Sequence, residues 1–359
     1  MQPTQREIVL LWKRSTTIQK PRQKVGISAN AAGIALVYGD FSSSLATLSC
    51  EFLPCTDLKQ QEELLAVAIG DRHLEGNECC YTLTPHDYRL LLLDAPDVPE
   101  KELAAAAQWL VKDLIDFPVE EAAVDAFPIP VRASQSAKIY VVVCRKQFLQ
   151  QIVRLVKLAG LKLAKVGIYD LALRNILSLY PEITPGIAAL CLDKDYTNLL
   201  IAKDNLLYLT RPLDESMLVP IAAEEVKAIS EQSSAEPVTA VSKPEKDYHQ
   251  QSITTYNIAN LVLEIQRSFD YYQSQLGQAF PTKLLLTPGI EIEDSLRGEL
   301  SQNLAVAIDR LDLNALFKFQ KPLPLDLQAH CLGAVGGIIT VKELATPNQS
   351  EQDSHETGS

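Results

Sequence analysis

Apolar positions along this chain alternate between a period of two and a period of three to four, the marks of strands and helices in turn. Val25 to Ile27 and Gly33 to Tyr38 read as two short strands joined by Ser28-Ala29-Asn30-Ala31-Ala32, a turn of small residues, and so as a hairpin. Leu58, Leu64, Leu65 and Ala68 follow at helical spacing until the polar stretch from Gly70 to Asn77 breaks the pattern. From Tyr81 to Ala164 strand and helix alternate in a self-contained module that begins with the apolar run Arg89 to Leu93. Its first helix opens at Pro99, carries Glu100 and Glu102 at the positive end, and stops at Pro118. Leu103, Ala107, Leu110, Leu114 and Phe117 share one face of it, which predicts docking on a sheet. Ile139 to Cys144 reads as a buried strand. Phe148, Ile152, Val156 and Ala159 then form a helix face, closed by Gly160 in the left-handed conformation.

The second half repeats the theme. A short helix runs from Tyr169 to Leu179, and Pro181 and Pro185 mark a crossing into a second lobe. Ile187 to Leu192, Thr197 to Ala202 and Leu206 to Thr210 read as three successive strands with Lys203-Asp204-Asn205 as one of the turns. Glu224 to Asp247, rich in Glu, Ser, Lys and Pro, predicts a mobile loop. Ile258, Leu261, Val262, Ile265, Phe269, Tyr272 and Leu276 predict a long helix ending near Gly277. Lys283 to Thr287 reads as a strand turned by Pro288-Gly289 into a helix from Ile292 to Leu300, and Ala329 to Ile339 as a small-residue helix that packs closely on a sheet.

Composition narrows the classes. A chain of 359 residues with 47% hydrophobic and 22% charged content folds, and its length suggests two domains. A net charge of −12 disfavours nucleic acid and anionic lipid as partners for most of the surface. Basic residues cluster at Lys13, Arg14, Lys20, Arg22 and Lys24, predicting a mobile basic arm. Met1 to Glu7 lacks the apolar run of a signal peptide, and no window reaches the length of a membrane span. Seven cysteines without a CxxC pair fit a reducing cytoplasm, with Cys79 and Cys80 as small buried hydrophobes on opposite faces of a strand. There is no GxxxxGK[ST], GxSxG or HExxH motif, and the five histidines lack metal-ligand spacing; His330 reads as a core histidine.

A strand-turn-strand hairpin opening each half, with Pro288-Gly289 before a late helix, resembles the actin-like ATPase fold. Four stretches carry a closer resemblance, from about Lys24 to Thr340, to the PilM family of type IV pilus assembly proteins, and within it to the MshI group of mannose-sensitive haemagglutinin (MSHA) pilus biogenesis proteins. They are Leu93 to Leu103 with Trp109 and Phe117-Pro118; Val142 to Lys146 with Leu158-Ala159-Gly160-Leu161-Lys162; Thr197-Asn198-Leu199; and Glu264-Ile265-Gln266-Arg267-Ser268-Phe269-Asp270-Tyr271-Tyr272. The resemblance implies an α/β, actin-like (ribonuclease H-like) two-lobed fold with a PilM-type inserted subdomain. On that plan residues 1–23 are the basic arm, 24–78 and 167–185 the first lobe, and 79–166 the insert. The second lobe is 186–342, with a mobile loop near 220–250, and 343–359 form a tail.

The resemblance also implies a site. In such folds hairpin amides grip phosphate, an Asp holds the Mg²⁺ water shell, and a Gly-rich turn meets adenosine. The corresponding positions here are Ser28, Asn30, Asp193, Thr197, Asn198 and Gly289. Ser28 and Asn30 stand where the family has an Asp and a Gly. Lys194-Asp195-Tyr196 replaces small residues that let phosphate approach, and Pro288 offers no amide donor. Met217 to Tyr256 is short for a subdomain that closes over the base. The expectation is therefore a scaffold with no ATP, Mg²⁺ or other metal. Its expected place is the cytoplasm, peripheral to the inner membrane, without a membrane span of its own. There it would bind the N-terminal peptide of a PilN-like inner-membrane protein and other platform components. Tyr88, Trp109 and Tyr140 are the candidates for lining that peptide's groove, with Trp109 half-buried. The rival readings are an active actin-like ATPase, for which Asp193 is the best residue, and a type II secretion component.

Overall fold

The computed structural model describes residues 23–39, 47–130, 136–193, 196–213, 258–289 and 294–339. The basic arm up to residue 22, the loop expected near 220–250, the tail, and Lys194 and Asp195 lie outside the described residues.

Two sheets share one plan. In the first, β1 (Lys24–Asn30), β2 (Gly33–Gly39) and β3 (Thr47–Pro54) are antiparallel neighbours, and β4 (Glu78–Leu83) and β8 (Lys162–Ile168) continue from β1 in parallel. In the second, β9 (Ile187–Asp193), β10 (Tyr196–Lys203) and β11 (Leu206–Pro212) are antiparallel, and β12 (Lys283–Leu286) and β13 (Ala307–Arg310) continue from β9 in parallel. The hairpins follow from local chemistry. Asn30 Oδ1 accepts from the Ala32 and Gly33 amides (2.9 and 3.1 Å), which tightens the β1–β2 turn. Asp204 and Asn205 both take positive φ, the type I′ geometry that matches strand twist between β10 and β11.

Between β4 and β8 the chain leaves to build the insert, a small antiparallel sheet of β5 (Arg89–Asp94), β6 (Ala122–Ile129) and β7 (Lys138–Arg145) in the order β5-β7-β6. The expected bounds 79–166 are corrected to 84–161, because 79–83 and 162–166 are rungs of the first sheet. The second lobe also ends earlier than 342. β14 (Lys318–Phe319), after the short helix α7 (Leu313–Leu316), pairs with β3. The last helix, α8 (Leu325–Ile338), packs on β1, β2 and β4, so residues 318–338 return to the first lobe.

The helices form layers because both sheets are apolar on both faces. α1 (Leu58–Asp71) and α3 (Lys146–Leu158) cover one face of the first sheet, where Val25, Ile27, Ile34 and Leu36 meet Leu65, Ile69, Ile152 and Val156. α5 (Ile258–Ser274) and α6 (Asp294–Asn303) cover the outer face of the second, where Leu190 and Ile201 meet Ile265 and Phe269. α4 (Tyr169–Leu177) and α8 lie between the sheets in a shared core with Ala189, Cys191 and Leu200. Asp57 caps α1 through the Gln60 amide (2.9 Å). Gly160, at φ +77°, ends α3 as expected, with the Leu161 amide reaching back to the Val156 carbonyl (3.1 Å). Cys79 and Cys80 point into the two cores on opposite faces of β4, and His330 stacks on Phe52 at 3.7 Å.

One expected helix is shorter than its apolar spacing implied. α2 (Leu103–Leu110) stops well before Pro118, and 111–114 form a turn. Leu103, Ala107 and Val111 enter the insert's core with Ile139, Val141 and Val143, leaving Leu110 and Leu114 exposed.

Candidate functional site

The two hairpins that open the lobes approach each other across α4 and α8. Ser28 is not in a turn, as the sequence suggested, but near the end of β1, where it is buried and its hydroxyl donates to the Thr82 carbonyl (3.0 Å). The strand extends to Asn30 because seven rungs pair it with β2, leaving a two-residue turn. A carbon added at Gly333 of α8 would lie 3.3 Å from the Tyr169 ring, 3.5 Å from Ser28 Oγ and 3.6 Å from Thr82. Tyr169, at the start of α4, therefore stands beside the first hairpin. Its ring also meets Tyr196, the first residue of β10, edge-on at 6.1 Å. The Tyr169 and Tyr196 rings thus lie between the two hairpins.

Behind these rings lies a buried polar node. Asp170 is 2% exposed in the middle layer. Tyr88 of the insert donates its hydroxyl to one carboxylate oxygen, and Thr210 Oγ1 of β11 donates to the other (2.5 Å). Asn198 Nδ2 donates to Thr210 Oγ1 (2.8 Å) and reaches Asp170 at 3.4 Å. The Thr210 amide donates to the Tyr140 hydroxyl (2.9 Å), so a second insert residue joins. Burial pushes the Asp170 carboxyl above its ordinary range, while the bonds from Thr210, Tyr88 and Asn198 pull it down. Burial, then the neighbouring Asp170 charge, raises the Tyr88 hydroxyl well above its ordinary value. One carboxylate thus ties the insert, the central helix and the second sheet together.

The expected site residues fall into separate places. Asn198 is spent inside the node, and Ser28 is turned into the first sheet. Asn30 is exposed and shapes its own turn. Asp193, Thr197 and Gly289 gather at one end of the second sheet: Thr197 pairs with Leu192, and a carbon added at Gly289 would lie 2.8 Å from the Leu192 carbonyl oxygen. Thr197 Oγ1 is buried without a hydrogen-bond partner among the described residues. Tyr88 and Tyr140 are corrected as groove residues, because both are buried in or against the node. Trp109, expected half-buried, is 79% exposed on the far side of the insert. Among the described residues no group of three or more His, Cys, Asp or Glu could hold a metal ion, and no helix is long and apolar enough to cross a membrane.

Sequence reading missed Asp170, Thr210 and the role of Tyr169. The signal was present at Asp170, a carboxylate inside Tyr-Asp-Leu-Ala-Leu that shares a helix face with Leu173 and Leu177.

Duplicated sheets, each with a hairpin-linked triplet continued by two parallel strands, and a central helix pair between them define an actin-like two-lobed fold with an inserted subdomain. No protein-family model matches the sequence, and no curated protein matches it. Among solved structures, a PilM-PilN type IV pilus biogenesis complex is similar at 18% identity, over 88% of this chain and 98% of that one, with a TM-score of 0.60. The cytoplasmic domain of EpsL, an inner membrane component of the type II secretion system of Vibrio cholerae, is similar at 13% identity, over 87% and 94%, with a TM-score of 0.45. A protein of actin-like ATPase fold from Bacteroides thetaiotaomicron VPI-5482 is similar at 10% identity, over 83% and 93%, with a TM-score of 0.46.

Proposed function

We propose that this chain is the actin-like scaffold of a type IV pilus assembly machine of the MSHA kind. It stands at the cytoplasmic face of the inner membrane and holds the N-terminal peptide of a PilN-like inner-membrane protein without turning over ATP. The observation that carries the reading is the pair of rings, Tyr169 and Tyr196, between the hairpins. Phosphate binding in an actin-like fold needs open hairpin amides facing each other across a cavity. Here Tyr169 and Tyr196 occupy that space, Ser28 is bonded inward, and Asn198 is committed to Asp170. These residues do not fit a magnesium nucleotide. The pilus context is supported by the four stretches of resemblance and by a fold shared with a protein solved together with PilN.

The insert also exposes an apolar side chain that suits a peptide. Leu92, Tyr140 and Phe127 form one row across the small sheet, and paired residues share a face. Tyr140 faces the body, bonded to β11, yet Leu92 in the same row is 39% exposed. The row is therefore open at its Leu92 end, where an apolar peptide side chain could enter between insert and body. Calorimetric titration with the partner's N-terminal cytoplasmic peptide is expected to give 1:1 binding with a Kd of micromolar order. Leu92→Glu should weaken it by about tenfold or more, and Trp109→Ala should leave it unchanged. Absence of binding by the folded wild-type chain would sink the reading.

A further inference from the structure

The insert presents its largest exposed apolar side chain on the face turned away from the body. Leu103 and Ala107 fill the insert's core, and at about 100° per residue Trp109 stands roughly opposite Ala107 on α2. Leu110 and Leu114 are exposed beside it. Glu102, Ala105 and Asp113, at helical intervals from Trp109, are exposed as well. Residues 94–125 hold nine acidic side chains and two basic ones, and three of the acids, Asp94, Asp116 and Glu121, pair with Lys138, Arg89 and Arg145. An exposed tryptophan in an acidic field suits a basic segment with an apolar anchor, since Trp is the residue type that most often carries interface energy.

The sequence contains such a segment. Residues 1–22 hold five basic side chains against one acidic, and Ile8-Val9-Leu10-Leu11-Trp12-Lys13-Arg14 places an apolar run, with the chain's other tryptophan, directly before two of them. Its point of attachment decides which copy it serves. Lys24 pairs with Glu78, the first residue of β4, whereas the insert departs after Leu83, the last. The arm therefore leaves the first sheet at the end where the insert returns, at Lys162, and opposite the end where the insert departs towards β5 and α2. An arm serving its own copy has to turn back past the length of β1, whereas one serving a second copy does not, which favours the contact between copies.

We propose that Ile8 to Arg14 of one copy docks on the Trp109 face of α2 in the next, a head-to-tail contact. Such a contact is heterologous and extends to rings or open chains unless capped. It uses neither the rings between the hairpins nor Leu92, so it stands or falls independently of the peptide reading.

Sedimentation velocity of the full chain tests it. Between about 1 and about 100 µM at low salt the mass should grow beyond a dimer. Trp109→Ala, or Lys13→Glu with Arg14→Glu, should weaken association by about tenfold or more, as should raising the salt to about 0.5 M. Both are exposed or terminal changes that leave the core intact. Mixing the two variants is the decisive arm: one retains the face and the other the segment, so they should stop at a 1:1 heterodimer. A wild-type chain that stays monomeric, association indifferent to Trp109, or a mixture that fails to pair would overturn the proposal. So would a monomer that instead pellets with anionic phospholipid vesicles through Lys13 and Arg14, which would assign the segment to a lipid surface.

Discussion

Asp170→Ala is expected to lower the unfolding free energy by about 3 kcal/mol or more, because it leaves buried donors without their acceptor. Tyr88, Thr210 and Asn198 all point hydrogens at this carboxylate from separate elements. Tyr88→Phe removes one donor and leaves the carboxylate two, so about 1 kcal/mol is expected. Urea titrations of the three chains read both values. The node also sets a pH dependence. Burial raises the Asp170 carboxyl in the folded chain, so folding takes up a proton between the ordinary carboxylate range, about 4, and the raised value. That stabilising contribution is full below the ordinary range and is lost as pH rises through the folded value. The tyrosines around it, Tyr88, Tyr140, Tyr169 and Tyr196, are raised by burial and titrate far above this window. Wild type should therefore lose stability relative to Asp170→Asn as pH rises from about 4 to about 7. Parallel pH profiles for the two would remove Asp170 as the titrating group.

Gly336→Ala is expected to cost about 3 kcal/mol or more, the upper range for overpacking, because the clash is with backbone. A methyl at Gly336 would lie 2.2 Å from the Ala172 carbonyl oxygen and 2.5 Å from its carbonyl carbon, where α8 crosses α4. Relief requires the helices to part. That would strip Asn175 of its bonds to the Gly336 and Ile339 carbonyls (2.9 and 3.2 Å). Gly298→Ala on α6 is the control: nothing lies within 4 Å of the added carbon. In a helix interior it should stabilise by up to about 1 kcal/mol. Thermal melts of both chains should move in opposite directions, and equal melting temperatures would contradict the close helix crossing.

What was legible in the sequence was local. The hairpins at Asn30 and Asp204-Asn205, the cap at Gly160 and the long helix of α5 rest on turn chemistry and apolar spacing within a few residues of each other. The insert's true edges were hidden because β4 and β8 are short strands whose partners lie in parallel, across a crossover of more than seventy residues, and apolar period does not name a partner. The return of residues 318–338 to the first lobe was hidden for the same reason. Trp109 was misread because the apolar spacing continues to Phe117 while the helix ends at Leu110, so the positions beyond it do not share its face. The polar node drew on Tyr88, Asp170, Asn198 and Thr210, four segments whose meeting depends on tertiary packing. The residues standing at the positions of the implied phosphate site were readable one by one. That Tyr169 and Tyr196 meet between the two hairpins was not.

The central claim is that this actin-like cleft is closed by its own side chains, and titration of the full chain with Mg-ATP tests it most directly. No saturable heat is expected up to about 1 mM nucleotide, a ligand level at which even a Kd of that order would be visible. Micromolar binding that is lost in Asp193→Ala would contradict the claim and return the protein to the nucleotide-driven members of its fold.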